Sequence, residues 1–243
     1  MTDSSGSAPG ADAPEKAPAL RRSPIVLFDL DGTLVDSVID IAAEGGRLLQ
    51  ARGLPPLSLD EARGYLGDGL RRFIQRAFAA RNATVTSDEI ALFVARYTAE
   101  PVVDSMLYPD VEGVLRELAD AGWHMAVCTN KAQVAAESML DTLGIRRYFV
   151  AVCGGDAVSA QKPDPRHLEE TLRQAGFVND RAVMIGDNRA DVEAAAALGI
   201  PCIFAEWGYS APSAGHDADR RAAKFCDLPA ILTALRDIAR QPA

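Results

Sequence analysis

The chain runs to 243 residues, with 25 basic and 34 acidic side chains and a formal net charge of −9. A composition of 48% hydrophobic and 24% charged residues excludes a largely disordered chain, and the acidic balance argues against a dedicated nucleic-acid binder, which would carry a basic footprint. No apolar run approaches the roughly eighteen residues that span a membrane, and the length allows one large domain or two small ones.

Residues 1–22 are poor in large apolar side chains and are broken by Pro9, Pro14 and Pro18. They are expected to form a disordered tail, and they lack the basic-then-apolar order of a secretory signal. The four cysteines, Cys128, Cys153, Cys202 and Cys226, never form a CxxC pair. Neither a disulfide framework nor a zinc site is expected, and the free thiols suggest a reducing, cytoplasmic setting. Ile25-Val26-Leu27-Phe28 is a short continuous apolar run, as in a strand buried on both faces. Residues 38–105 then read as helical segments at 39–52, 60–66, 70–81 and 87–99, separated by Gly53-Leu54-Pro55-Pro56 and Gly67-Asp68-Gly69. They hold no buried strand run, so they predict an all-helical cap inserted after the first strand.

From residue 106 the pattern changes. A helical face at 111, 114, 115 and 118 is followed by apolar strand runs at 125–128, 149–153, 182–185 and 201–204. Helices are expected at 132–143, 166–175 and 191–198, each stopped by a glycine (Gly144, Gly176, Gly199), with a closing helix over 228–240. Strands alternating with helices at this spacing imply βαβ units. The expected fold is α/β. A Rossmann-like parallel sheet over 23–37 and 106–243 carries helices on both faces, and the helical cap occupies 38–105.

The polar residues gather at the ends of the predicted strands. Asp29 and Asp31 follow the first strand, where alternate residues of an extended segment share a face, and Gly32 permits a tight bend close to a ligand. Ligands of open α/β sheets bind at these carboxyl ends. Two adjacent carboxylates repel unless they share a cation, and a hard cation such as Mg²⁺ takes a few carboxylates plus water and substrate oxygens. Thr129-Asn130-Lys131 ends the second strand run and feeds a helix N-terminus, which suits an anion. Lys162-Pro163 follows the third, and Gly186-Asp187 the fourth, with Asp191 four residues on. A hydroxyl, a lysine and three acids suit phosphoryl transfer, which needs positioning and charge neutralisation.

These four segments, in order, resemble the four motifs of the haloacid dehalogenase superfamily, over roughly residues 24–240. Gly67-Asp68-Gly69, Gly154-Gly155-Asp156 and Trp207-Gly208-Tyr209 resemble its phosphoglycolate phosphatase branch. The resemblance implies a nucleophilic Asp29 that forms an aspartyl-phosphate, with Asp31 as acid and then base. It implies Mg²⁺ on the Asp29 carboxylate, the Asp31 carbonyl and Asp187, with Asp191 behind them. Gly32, Thr129, Asn130 and Lys131 would border the phosphoryl group, and Lys162 would neutralise charge. An acid at position 31 favours a phosphatase over a dehalogenase, which needs none there.

The expected substrate is a small phosphorylated metabolite, first of all 2-phosphoglycolate. A sugar phosphate, pyrophosphate or a mutase reaction stand as alternatives. A receiver-type signalling module lacks a helical insert after the first strand, and a catalytically dead protein would not keep all four motifs. No nucleic-acid or membrane partner is expected, and the chain is read as a monomer or homodimer. Arg71 or Arg72 could hold a substrate carboxylate bidentately. Other residues get plainer readings. Thr129 is both helix cap and phosphate ligand. Asp191 is alternatively a helix N-cap. Asp36 and Ser37 belong structurally to the hinge, and His124, His167 and His216 are structural or surface. Trp207 and Tyr209 pack, and Asn188, where the branch often has serine, carries little consequence.

Overall fold

The structure is a computed structural model that describes residues 23–67 and 69–238. The expected tail over 1–22, Asp68 and Arg240 lie outside the described residues. In chain order the elements are β1 (Ile25–Phe28), β2 (Val35–Asp36), α1 (Val38–Ala51), α2 (Leu59–Tyr65), α3 (Gly69–Ala79), α4 (Ser87–Ala99), β3 (Met106–Leu107), α5 (Val111–Asp120), β4 (His124–Cys128), α6 (Gln133–Thr142), β5 (Ala151–Cys153), α7 (Arg166–Ala175), β6 (Ala182–Gly186), α8 (Arg189–Leu198), β7 (Cys202–Ala205), β8 (Arg220–Ala222) and α9 (Leu228–Ile238).

Six strands form one parallel sheet in the order β5-β4-β1-β6-β7-β8. The two-residue period of a strand sorts its side chains into two cores. Val26 and Phe28 of β1, Val127 of β4 and Ile185 of β6 enter one cluster with Leu115 of α5, Leu140 of α6 and Leu232 of α9. Ile25, Leu27, Cys128 and Met184 enter the other with Leu168 of α7 and Val192 of α8. Burial on both faces explains why these strands read as unbroken apolar runs. The chain leaves β1 for β4 and β5 on one side, then returns to β6 on the other. The crevice at such a switch point, outside the strand ends, lies between Asp29 and Asp187.

Helices α1–α4 pack around their own cluster, which includes Ile41, Leu49, Phe73, Phe93 and Tyr97. Ser58 and Thr86 start α2 and α4 with complete capping boxes to Glu61 and Glu89. The helical stretch joins the sheet through two linkers, and the antiparallel pair β2–β3 ties the linkers together. Asp40 of α1 reinforces the tie by accepting from Val103, Asp104 and Ser105 backbone N–H groups and from the Ser105 hydroxyl. Burial raises the Asp40 carboxyl, but these donors outweigh it and hold the group below its ordinary range.

Several local expectations need correction. Strands β2, β3 and β8 were not expected. The helix predicted over 191–198 starts at Arg189, capped by Asn188, and Asp191 sits at the third helical position, closing a capping box. Thr129 caps no helix: Ala132 is the cap position of α6, without a side-chain bond. Among the described residues no helix is long and apolar enough to cross a membrane.

Candidate active site

Asp29 immediately follows β1, and its N–H donates to Ile185 O of β6 at 2.9 Å. Its Oδ1 accepts from Leu30 N–H at 2.7 Å and lies 3.0 Å from Lys162 Nζ. Lys162 arrives from the loop after β5. Its side chain is 2% exposed, and Nζ also reaches Asp191 Oδ1 at 2.7 Å and Cys128 O at 2.6 Å. A reciprocal pair fixes that loop: Asn130 Nδ2 donates to Lys162 O, and Lys162 N–H donates to Asn130 Oδ1, both at 3.0 Å. Burial alone would lower the lysine's proton affinity, but Asp191 and Asp29 reverse this, and the ammonium stays charged.

Asp187 follows β6 and is held by Thr33 Oγ1 at 3.2 Å and Tyr209 N–H at 2.8 Å. Asp191 accepts from Asn188 N–H at 3.0 Å. Oxygens of Asp29, Asp187 and Asp191 lie within 4.8 Å of one another. Burial, then the charges of Asp29 and Asp191, push the Asp187 carboxyl up to about 8. Burial raises Asp191 to about 6 against the pull of Lys162. Three carboxylates face one ammonium, so the cluster carries surplus negative charge out of water, which is costly unless a cation joins it. Its donors are all hard oxygens, the set that Mg²⁺ takes. Glycines make the crowding possible. A Cβ on Gly32, whose φ is +87°, would stand 2.6 Å from Asp187 Oδ2, and one on Gly208 would overlap the Asp187 side chain.

Asp31 lines the same cleft but has partners of its own. Its Oδ1 accepts from Ser37 Oγ at 2.5 Å, and Lys131 Nζ lies 3.0 and 3.2 Å from its two oxygens. Lys131 therefore points at an aspartate, where the sequence suggested a phosphate ligand. Thr129 is 1% exposed, and its hydroxyl accepts from Lys131 N–H at 3.2 Å.

These groups line a cleft of about 450 Å³, closed on the helical side by Leu66, Gly67, Leu70, Arg71 and Arg72. Asn188 does more than expected. It caps α8, donates to Ser210 Oγ at 3.0 Å, and lies against Gly67 of the helical stretch. Tyr209 does more than pack. Its hydroxyl accepts from Ser37 and Val38 N–H at 2.6 and 3.1 Å, next to the first linker. Ser37, Tyr97, Asn188 and Tyr209 are the residues at this site that sequence reasoning missed or undervalued. Only Ser37, six positions after Asp31, carried a local cue. His167 is fully buried with Nε2 on Cys153 O, and burial with the nearby Lys162 lowers it to about 4. The His124 ring lies 4.8 Å from that of Phe177 at a tilt of 51°, and His216 is exposed beside Asp217.

The haloacid dehalogenase-like hydrolase family profile matches residues 26–205, a span from β1 to the end of β7. The chain belongs to this family. Within the haloacid dehalogenase-like hydrolases it is similar to proteins named phosphoglycolate phosphatase. One from Agrobacterium fabrum is 38% identical over 192 residues, 77% of this chain and 82% of that protein. Another, from Pseudomonas putida, is 35% identical over 221 residues, 88% and 80% of the two chains. A predicted phosphoglycolate phosphatase from Haemophilus somnus superimposes with a TM-score of 0.79 at 28% identity, over 87% of this chain and 98% of that one. Rhodobacter sphaeroides CbbY, solved in complex with phosphate, gives 0.70 at 26% identity, over 85% and 96%. As a haloacid dehalogenase-like hydrolase the chain is an enzyme of the α/β class.

Proposed function

We propose that the chain is a Mg²⁺-dependent phosphomonoesterase whose first substrate is 2-phosphoglycolate. The observation that carries the chemistry is the set of Asp29, Asp187 and Asp191 around the buried Lys162, with Asp31 beside it in the same cleft. The names of the curated relatives support the substrate.

Lys162 and Leu30 N–H hold Oδ1 of Asp29. Oδ2 attacks phosphorus, the bond from phosphorus to the ester oxygen breaks, and Asp31 gives its proton to the departing oxygen. Water then attacks the phosphorus of the aspartyl-phosphate. Asp31 takes a proton from that water, inorganic phosphate leaves, and the Asp29 carboxylate is restored. Thr129 and the Asn130 N–H hold phosphoryl oxygens, and the bend at Gly32 lets the group come close. Asp29, the Asp31 carbonyl and Asp187 hold Mg²⁺, with Asp191 behind them; the bound ion supplies the positive charge that lets one anion approach another. Arg71, on the helical side of the cleft, meets the carboxylate of the substrate. Residues 38–105 act as a cap that closes over the cleft and excludes water during the first step.

The test is phosphate release from 2-phosphoglycolate, sugar phosphates and pyrophosphate, with Mg²⁺ or a chelator, by wild type and Asp29→Asn. Metal-dependent release that the variant lacks, with one dominant kcat/KM for 2-phosphoglycolate, is the expected result. Release from none of them would overturn the phosphatase reading, and a larger kcat/KM for another ester would overturn the substrate.

A further inference from the structure

We propose that Tyr97, a residue of the helical cap, is a positioning residue for Asp31 and acts through Lys131. This rests on the reading of Asp31 as the acid and base.

Lys131 is out of reach of solvent, with its side chain 1% exposed. An ammonium has three protons to place. Asp31 takes up its charge on two oxygens at 3.0 and 3.2 Å, and the Tyr97 hydroxyl accepts at 2.6 Å. A lysine stem is flexible, so what the ammonium holds depends on what holds the ammonium. Tyr97 can do that because it is itself fixed. It is 2% exposed, sits near the end of α4, and packs its ring in the same cluster as Phe73 and Phe93. Helix α4 lies against α6, the helix that begins just after Lys131.

The chain of contacts therefore runs from the core of the cap to a carboxylate of the sheet. Ser37 Oγ also holds Asp31, but from the linker and on Oδ1 only. The Lys131 contact spans both oxygens and so draws the carboxylate as a whole toward the ammonium. Removing the Tyr97 hydroxyl leaves a buried ammonium with one partner fewer and a carboxylate held less firmly on its Lys131 side. A misdirected acid matters in proportion to the basicity of the leaving oxygen. Departure of a benzyl alkoxide needs the proton, and departure of p-nitrophenolate does not.

The experiment compares kcat/KM for p-nitrophenyl, phenyl and benzyl phosphate, because kcat/KM reports steps through departure of the leaving group and omits hydrolysis of the aspartyl-phosphate. The proteins are wild type, Tyr97→Phe, Lys131→Met, the double variant and Asp31→Asn, each checked for an unchanged unfolding midpoint or assayed below it. Tyr97→Phe is expected to lose about tenfold on benzyl phosphate and less than about twofold on p-nitrophenyl phosphate. Lys131→Met should lose about a hundredfold on benzyl phosphate, with the double variant no worse. A uniform loss, no loss, or additive losses in the double variant would overturn the proposal, provided that Asp31→Asn shows the graded pattern. An ungraded Asp31→Asn would overturn the reading of Asp31, and the proposal with it.

Discussion

Replacing Lys162 by methionine keeps the length of the side chain and removes the ammonium that pairs with Asp29 and Asp191. The ammonium lies 3.0 Å from Asp29 and 2.7 Å from Asp191, with all three groups largely out of water. At an effective dielectric constant of about 20, each contact is worth roughly 5–6 kcal/mol before desolvation. Most of that is offset by the cost of burying the charges, and breaking such a pair from one side costs about 3–5 kcal/mol. The loss should depend on pH. Asp191 stands at about 6 with Lys162 present, above its ordinary 3.8, and moves higher without it. A folded-state value above the unfolded one means stability that is complete at low pH and lost as pH rises through the folded value. Wild type stops losing on this account near pH 6, and the variant continues to a higher pH. The gap between them therefore opens above pH 6 and narrows below it. Urea unfolding in chelator should show about 3–5 kcal/mol lost near pH 7.5 and clearly less near pH 5, with the slope m unchanged. A loss under about 1 kcal/mol, or one independent of pH, would refute the charge-balance argument.

Three further outcomes follow from the same geometry. Tyr209→Phe strips the acceptor from the N–H groups of Ser37 and Val38 at the start of α1; it should cost about 2–4 kcal/mol and lower the thermal midpoint by roughly 5–10 °C, and an unchanged midpoint would show that water serves equally well. Asp187 sits at about 8, against an ordinary 3.8, so metal-free protein should lose stability as pH rises across that window, and Mg²⁺ should raise the midpoint more at the alkaline end. A flat profile in a fluorimetric melt would contradict it. Arg71→Ala should raise KM for 2-phosphoglycolate about tenfold with kcat nearly kept, since the lost contact lies away from phosphorus; a loss confined to kcat would place Arg71 elsewhere in the reaction.

The sheet was legible in the sequence where burial is two-sided. Ile25–Phe28 and Ala182–Gly186 lie between two helical layers, so every position is apolar and the run announces itself. Strand β8 was not legible, because it is an edge strand whose Arg220 and Arg221 are exposed. Strands β2 and β3 have two residues each, too few for any period. Among the site residues, Asp29 and Asp187 are brought together because each directly follows a strand of one parallel sheet, whereas Asp191 is placed by the first turn of α8 and Lys162 by its loop's bonds to Asn130. Lys131 also follows a strand, but its long stem lets the ammonium choose Asp31 and Tyr97 over the phosphate pocket. Nothing in the chain between residues 38 and 105 showed that Tyr97 would meet Lys131, because that contact depends on how α4 sits on α6. Asn188 and Tyr209 were undervalued for a related reason: a capping amide and a buried phenol declare their partners only when the loops around them are folded.

The most direct test of the central claim is to trap the phosphorylated enzyme. Wild type is mixed with substrate and Mg²⁺, quenched in acid within the first turnover, digested, and read by mass spectrometry. The account predicts one phosphoryl group on the peptide that carries Asp29, cleaved by hydroxylamine and absent from Asp29→Asn. Full turnover with no phosphoryl group on that peptide, or turnover retained by Asp29→Asn, would contradict it.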